Sequence, residues 1–199
     1  MIERIEGDNA FCRCKNCGRS FRVTLPEPGD YRAVIEGIVA GRRDVVLLDN
    51  NFLAAPVDFV REQLDKASRL GLRIDFNQGL DARLVTPENA KLLARCKWIR
   101  YIRFSCDTAA MLEPVRRAVR LIREAGKRQI FCYLLVQDIG DAEKRLRALV
   151  ELGVTPFAQP YRDFSRCTEP TREQRDFARF ANVKGGKLCR KISFADYYH

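Results

Sequence analysis

The residues of this chain best suited to chemistry are three cysteines in the short segment Cys12-Arg-Cys-Lys-Asn-Cys17. Thiolates this close along a chain rarely pair with one another in good disulfide geometry, but they can converge on one metal ion or iron–sulfur cluster. In a reducing compartment such cysteines are better interpreted as ligands than as a disulfide framework. The segment therefore predicts a metal or cluster site at Cys12, Cys14 and Cys17, and with it a cofactor-dependent enzyme.

The other five cysteines fall into two groups by their surroundings. Cys96, Cys106 and Cys132 lie in apolar stretches, and we expect them in the core as small hydrophobic side chains. Cys167 and Cys189 lie in polar surroundings, and each is either a fourth ligand or a free thiol. A set of four thiolates would therefore include a residue that is distant in sequence from the other three.

Length and composition limit the class of protein. The 199 residues suffice for one sizeable α/β domain, and the hydrophobic share of 46% and the charged share of 31% are ordinary for a globular protein. No apolar run approaches the ~20 residues that a membrane span needs, and no signal-peptide pattern opens the chain. We therefore expect a cytoplasmic protein without a membrane partner.

The net charge of +10 suits a polyanionic partner such as nucleic acid. Much of this charge lies in one amphipathic segment, at Arg116, Arg117, Arg120, Arg123, Lys127 and Arg128. At helical spacing most of these residues share the face opposite Val115, Val119 and Ile122. Aromatic residues are not interleaved with them, which favours a solvated outer face, with nucleic-acid binding as the alternative.

Strand-like and helical segments alternate along the chain. Five short runs rich in β-branched or aromatic residues predict buried strands at residues 44–48, 72–76, 99–104, 129–136 and 154–158. One helical segment between them begins with an N-cap and a first-turn proline at Thr86 and Pro87. Short strand–helix–strand connections force parallel pairing. A helix at 31–40, a weaker strand within 2–12 and a last helix after residue 171 complete six β/α units and a tail.

Polar residues follow all five predicted strands. In parallel α/β folds, the residues just after each strand line the active-site edge of the sheet. Any one of these segments could merely cap the next helix, but five together favour a binding site for a ribose, an amine or a carboxylate. The segments are Asp49-Asn-Asn51, Asn77-Gln-Gly-Leu-Asp81, Ser105-Cys-Asp107, Gln137-Asp138 and Gln159-Pro-Tyr-Arg162.

Three stretches that include these segments resemble successive strand-end motifs of a radical S-adenosylmethionine family found in bacterial and phage genomes. They are Val46-Leu-Leu-Asp-Asn-Asn-Phe-Leu53, Ile74-Asp-Phe-Asn-Gln-Gly-Leu-Asp81 and Ile102-Arg-Phe-Ser-Cys-Asp107, and the similarity extends over residues 44–199. The resemblance implies a partial (β/α)6 TIM-like barrel of parallel strands with a C-terminal helix. We expect a single domain over 1–199, with a cysteine-containing loop at 1–29, β/α repeats at 30–165 and a helical tail at 166–199.

The resemblance also implies an activity. Such an enzyme holds a [4Fe-4S] cluster on three cysteines, here Cys12, Cys14 and Cys17, and binds S-adenosylmethionine at the open iron. With an electron donor it cleaves S-adenosylmethionine to a 5′-deoxyadenosyl radical that acts on a substrate, which the sequence does not identify. The residues implied at the cofactor and substrate are Asp49, Asn50 and Asn51 near the amine, Asn77, Gln78 and Asp81 near the ribose or carboxylate, and Ser105 and Asp107 facing the substrate.

The cysteine segment departs from the family pattern. The family has Cys-x3-Cys-x2-Cys with an aromatic residue before the last cysteine, whereas this chain has Cys-x-Cys-x2-Cys with Asn16 there and Ala10 at the first position. Cys14-Lys-Asn-Cys17-Gly also resembles half of a zinc-ribbon knuckle. Two alternatives therefore stay open. One is a non-catalytic barrel with a zinc knuckle that binds nucleic acid or protein, and the other is a truncated enzyme without its first strand and cluster loop.

Overall fold

A computed structural model of the chain describes residues 2–5, 10–14, 20–23, 43–47, 51–126, 129–163 and 168–198, and only the backbone course of the first three segments. The helix predicted at 31–40 lies outside these residues, as do Cys17, Asp49, Asn50 and Cys167. Contacts along the chain divide it into two compact units, Met1–Arg42 and Arg43–His199. The single-domain boundaries expected from the sequence stay a prediction.

The N-terminal unit contains a small antiparallel sheet of order β1-β2-β3. Its strands are β1 (Ile2–Ile5), β2 (Ala10–Cys14) and β3 (Ser20–Val23). The single strand expected within residues 2–12, at the start of a parallel series, is wrong, because β1 and β2 pair antiparallel with Arg4 opposite Cys12. The connection between them is too short for a parallel crossover, and its glycine, aspartate and asparagine are typical of hairpin turns.

The C-terminal unit alternates strands and helices as the sequence predicts. Its strands are β4 (Asp44–Leu47), β5 (Arg73–Phe76), β6 (Lys97–Trp98), β7 (Ile102–Ser105), β8 (Ile130–Val136) and β9 (Thr155–Pro160). Its helices are α1 (Val57–Arg69), α2 (Pro87–Arg95), α3 (Leu112–Glu124), α4 (Ile139–Glu151), α5 (Arg172–Asn182) and α6 (Phe194–Tyr198). The strands form two parallel sheets of order β4-β5-β6 and β7-β8-β9. The α/β class with parallel strands is confirmed, and the partial (β/α)6 barrel stays a prediction.

The strand predicted at 99–104 is wrong in its extent. The chain first forms β6, whose Trp98 pairs with Ile74 on β5, and Ile99 still donates a hydrogen bond to the Ile74 carbonyl. By Ile102 the hydrogen-bond partner is the Gln129 carbonyl, at the start of β8. The segment therefore changes sheets halfway along, which a run of apolar residues cannot reveal because both halves have strand composition.

The strands bury one face more completely than the other. Along β8 the side chains of Ile130, Cys132, Leu134 and Val136 are buried, whereas the residues between them are only half-buried. A fully buried parallel strand would be apolar on both faces. The second face instead carries polar and aromatic side chains, and it leads to the cleft described below.

The buried cysteines belong to this core. Cys96, Cys106 and Cys132 are buried as expected. Burial raises the pKa of the Cys106 thiol to about 11, so this group stays protonated at neutral pH. Cys189, for which the sequence left a fourth ligand or a free thiol open, is a free thiol and is 1% exposed within the 3₁₀-helix Lys187–Arg190. Cys189 therefore serves the packing of the C-terminal segment.

Helix α3 has the two faces that its sequence predicts. Val115, Val119 and Ile122 are buried, while Arg116 and Arg120 are exposed. Arg116 forms an exposed ion pair with Glu113. No helix in the described part of the chain is long and apolar enough to cross a membrane.

Candidate functional site

A polar cleft of about 340 Å³ lies at the carboxyl ends of four strands in the C-terminal unit. Its volume is in the range of small-molecule sites. Four of its lining residues, at the ends of β5 and β7, are residues that the sequence singled out. The cleft is lined by Asn77, Gln78, Ser105, Asp107, Tyr133, Leu135 and Gln159.

The turn after β5 brings the two sheets together beside this cleft. The Leu80 amide donates a hydrogen bond of 2.7 Å to the Arg103 carbonyl, and Leu80 forms an isolated parallel bridge with Phe104. The preceding Gly79 has a φ of +83°, which a residue with a side chain adopts only with strain. The glycine in the Asn-Gln-Gly-Leu segment therefore lets the chain place Asn77 and Gln78 opposite the end of β7.

A buried ion pair between β5 and β7 supports this junction. Asp75, which is 6% exposed, accepts two hydrogen bonds of 2.7 Å from Arg103. These bonds raise the pKa of the Arg103 guanidinium. Arg103 also donates through Nη1 to the Tyr133 hydroxyl at 3.1 Å, and that hydroxyl donates to the Asn77 carbonyl at 3.1 Å. The chain of bonds thus links the interior of the sheets to the rim of the cleft.

Asp107 is the carboxylic acid of the cleft. The residue as a whole is exposed, but the protein around its carboxyl removes water and raises its pKa above the ordinary value. A hydrogen bond from Ser105 and the positive charge of Arg145 oppose this shift. Asp107 therefore accepts a proton more readily than an aspartate in water does.

Arg145, on helix α4, forms hydrogen bonds with the ends of β7 and β8. Its side chain is 1% exposed and donates to the Cys106 carbonyl at 2.6 Å and to the Leu135 carbonyl at 2.9 Å. Its charge is balanced by Asp141, one helical turn earlier on α4, at 2.7 Å. A buried guanidinium with this many partners fixes the strand ends that present Asp107 and Leu135 to the cleft.

Two of the residues predicted to bind the cofactor, Asp81 and Asn51, have hydrogen-bond partners within the protein. Asp81 caps the 3₁₀-helix Ala82–Leu84 by accepting from the Arg83 amide at 2.9 Å, and its ion pair with the Arg83 side chain measures 2.7 Å. The hydrogen bonds from Arg83 lower the pKa of the Asp81 carboxyl, and a bond from the Asn51 side chain acts in the same direction. Asp81 and Asn51 thus bind each other and do not line the cleft.

Sequence reasoning did not select Tyr133 and Leu135 as site residues. Both are half-buried residues of β8, where they alternate with buried ones. The signal was available in the tyrosine within the apolar run Ile-Phe-Cys-Tyr-Leu-Leu-Val, since a tyrosine hydroxyl in such a run needs a partner. Gln159, on β9, was recognised only as part of a polar strand end.

The cysteines predicted to bind a cluster belong to the N-terminal unit. Cys12 and Cys14 occupy alternate positions of β2, and Cys17 follows that strand outside the described residues. Among the residues whose side chains are described, no group of three histidine, cysteine, aspartate or glutamate residues is placed to hold a metal ion.

Comparison with known proteins adds no relative. No protein-family model matches this chain. A sequence search of curated proteins likewise found no match. The geometry of the cleft and the resemblance of its motifs therefore form the basis for a function.

Proposed function

We propose that this protein is a radical S-adenosylmethionine enzyme that binds S-adenosylmethionine in the cleft at the ends of β5 and β7. One observation carries the proposal. Asn77, Gln78, Ser105 and Asp107, which the family resemblance assigns to cofactor and substrate, line one cleft although the chain separates them. A fold in which strand ends converge is the usual setting for such a site.

The cleft residues suit the polar parts of S-adenosylmethionine. The amides of Asn77 and Gln78 each offer donors and acceptors for the ribose hydroxyls and the carboxylate. The Ser105 hydroxyl donates to Asp107 and thereby orients a carboxyl whose pKa is raised by loss of water. Asp107 can therefore hold a proton at its carboxyl oxygen next to a bound substrate.

The donor set of the N-terminal unit suits an iron–sulfur cluster. Cys12, Cys14 and Cys17 are the residues that would hold it, because thiolates are the protein ligands of [4Fe-4S] clusters. A bound cluster would supply the electron for reductive cleavage of S-adenosylmethionine, after its own reduction by an electron donor. The residues of the cleft would bind and orient S-adenosylmethionine and the substrate.

Metal analysis of protein purified without oxygen tests the proposal. We expect about four irons and a brown colour that dithionite bleaches. Reduced protein incubated with S-adenosylmethionine should then release 5′-deoxyadenosine. A colourless protein without iron, or an iron protein that forms no 5′-deoxyadenosine, contradicts the proposed activity.

A binding measurement tests the placement of S-adenosylmethionine independently of the cluster. The Asn77→Ala variant should bind S-adenosylmethionine about tenfold more weakly in calorimetry, since a hydrogen bond to a charged or polar ligand contributes on the order of 1.5 kcal/mol. Gln129→Ala is the matched control, because Gln129 is exposed at the opposite end of β8. Equal affinities of Asn77→Ala and unaltered protein would show that the cofactor does not bind here.

The backbone of the N-terminal unit favours a second candidate function. Cys14 ends β2, and Cys17 lies in sequence between β2 and β3, which pair antiparallel. Two cysteines with two residues between them, at the turn between antiparallel strands, are typical of a zinc ribbon. In this alternative the protein is a zinc-stapled binding module for nucleic acid or protein. One zinc per chain, no colour and a nucleic-acid affinity that falls steeply with added salt would support it over the enzyme.

A further inference from the structure

The polar cleft continues into a second compartment of about 610 Å³. The two share Leu135 and Gln159, which lie opposite each other on β8 and β9. A ligand in the first compartment can therefore extend across this pair into the second. The remaining lining residues of the second compartment are Pro160, Tyr161, Arg162, Glu169, Pro170 and Arg175.

Two of the three charged residues of the second compartment form an ion pair with each other, and the third, Arg175, forms none with a described residue. Arg162 is bound to Glu169 by an ion pair of 2.5 Å. Arg175 donates through Nη1 to the Pro170 carbonyl, and no described carboxylate forms an ion pair with it. A guanidinium has five N–H donors in a planar fork, so most of those of Arg175 remain for a ligand.

Helix α5 fixes the position of Arg175. Its N-cap Thr171 exchanges two hydrogen bonds with Gln174, and the Gln174 side chain donates to the Gln137 carbonyl at 2.9 Å. The Arg175 amide bonds to the Thr171 carbonyl. The first turn of the helix is thus attached to the end of β8, and the guanidinium projects from a rigid base into the compartment.

We propose that Arg175 binds a carboxylate of the substrate in this second compartment, while an apolar part of the same molecule packs on Pro160, Tyr161 and Pro170. The inference rests on the proposed function and adds to it the class of substrate, an organic carboxylate. The planar fork of one arginine matches one carboxylate. Because Arg162 and Glu169 neutralise each other, the one charge of Arg175 suits a singly charged carboxylate better than a doubly charged phosphate.

Nuclear magnetic resonance of the arginine side chains tests the inference on the full chain. Benzoate is the probe for a carboxylate with an apolar body, and inorganic phosphate is the probe for the other anion. We expect benzoate to shift the Nε–H signal of Arg175 saturably and phosphate to shift it more weakly. Arg175→Gln should weaken benzoate binding about tenfold, as loss of a charge-assisted bond does. Arg179→Gln, on the same helix but outside the compartment and paired with Asp176, is the matched control.

The outcomes separate this inference from the proposed function. Benzoate shifts of equal size at Arg175 and Arg179 would overturn the carboxylate site as a general effect of salt, and tighter binding of phosphate than of benzoate would overturn the assigned class. The same samples are titrated with S-adenosylmethionine. If that cofactor binds and benzoate does not, only the inference fails. If benzoate binds through Arg175 and the cofactor does not bind, the proposed function fails and the carboxylate site stands.

Discussion

At Asp107 three physical effects act on one carboxyl group. Loss of water raises its pKa, and the Ser105 hydroxyl and the Arg145 charge lower it. Because the folded-state pKa lies above the ordinary value, the folded protein holds this proton more tightly than the unfolded chain does. The contribution of Asp107 to the free energy of unfolding therefore falls as pH rises from the ordinary pKa through the raised one. At neutral pH the ionised Asp107 therefore lowers the free energy of unfolding, which is a cost of placing a carboxyl group in the cleft.

The first prediction concerns the hydrogen bond that stabilises the charged form of this acid. Replacement of Ser105 by alanine removes that bond, so the pKa of Asp107 should rise further above its ordinary value. A carbon-detected titration of the Asp107 carboxyl measures the change. Ser68→Ala, at an exposed position of α1, should leave the titration curve where it is. A lowered or unchanged pKa in Ser105→Ala would mean that Ser105 does not donate to Asp107.

The second prediction concerns the Tyr133 hydroxyl. Tyr133→Phe keeps the ring contacts with Phe131 but removes the group that joins Arg103 to the Asn77 carbonyl. The free energy of unfolding should fall by about 1 kcal/mol, the usual net value of such bonds. Urea unfolding measures it. Tyr101→Phe is the control, because the Tyr101 ring contacts the same Phe131 in a tilted arrangement and its hydroxyl has no bond among the described residues. Equal losses in the two variants would contradict the assigned role.

At the scale of elements, α4 determines the geometry of the cleft from outside it. The helix packs on β8 and β9 through Leu146, Leu149 and Val150, and on its buried side it also carries Arg145. A charged residue is almost never placed in such a row unless all its donors have partners. Here the partners are the carbonyls at which β7 and β8 end, so packing of the helix and alignment of the strand ends depend on the same side chain.

The third prediction is that Arg145→Met destabilises the protein by about 3 kcal/mol, because the two strand-end carbonyls lose a buried donor and Asp141 loses its ion pair. Urea unfolding gives the value. Lys144→Met, on the exposed face of α4, should change stability by less than about 0.5 kcal/mol. The pKa of Asp107 should also rise in Arg145→Met, since the Arg145 charge lowers it. A stability loss without that rise would limit Arg145 to a structural role.

At the scale of the C-terminal unit, a β-bridge and a buried ion pair help to join the two parallel sheets. Leu80 bridges to Phe104, and Asp75 on β5 binds Arg103 on β7. A second bidentate pair, Asp44 with Arg73, has the same form but lies within the first sheet and is about half exposed. The two pairs allow burial to be separated from geometry as the source of stability.

The fourth prediction compares these two pairs. Arg103→Met leaves Asp75 buried without its partner and should cost about 3 kcal/mol of unfolding free energy, whereas Arg73→Met should cost less than about 1 kcal/mol. Adding Asp75→Leu to Arg103→Met should restore part of the stability, because the unpaired charge is then gone. Denaturant unfolding of these three variants and of Asp75→Leu alone measures the coupling. A double variant less stable than Arg103→Met alone would show that the pair is not the joint between the sheets.

The sequence by itself determined the alternation of strands and helices in the C-terminal unit, except for the separate strand β6. Local signals suffice for this, as at Thr86, whose capping box with Asn89 starts α2 where predicted. It also predicted that Asn77, Gln78, Ser105 and Asp107 lie at one edge, where they line the cleft, because parallel strands place their carboxyl ends together. The proposed activity and its cysteine ligands remain predictions that rest on a resemblance.

Only the tertiary structure decided which neighbours those residues have. It paired Asp81 with Arg83, placed Cys189 in the core, brought Tyr133 to the cleft and bonded Arg145 to the Cys106 carbonyl. It also split the strand predicted at 99–104 between two sheets. The physical reason is the same in each case. A residue type and its spacing fix the local conformation, whereas burial and hydrogen bonding depend on groups that folding brings from tens of residues away.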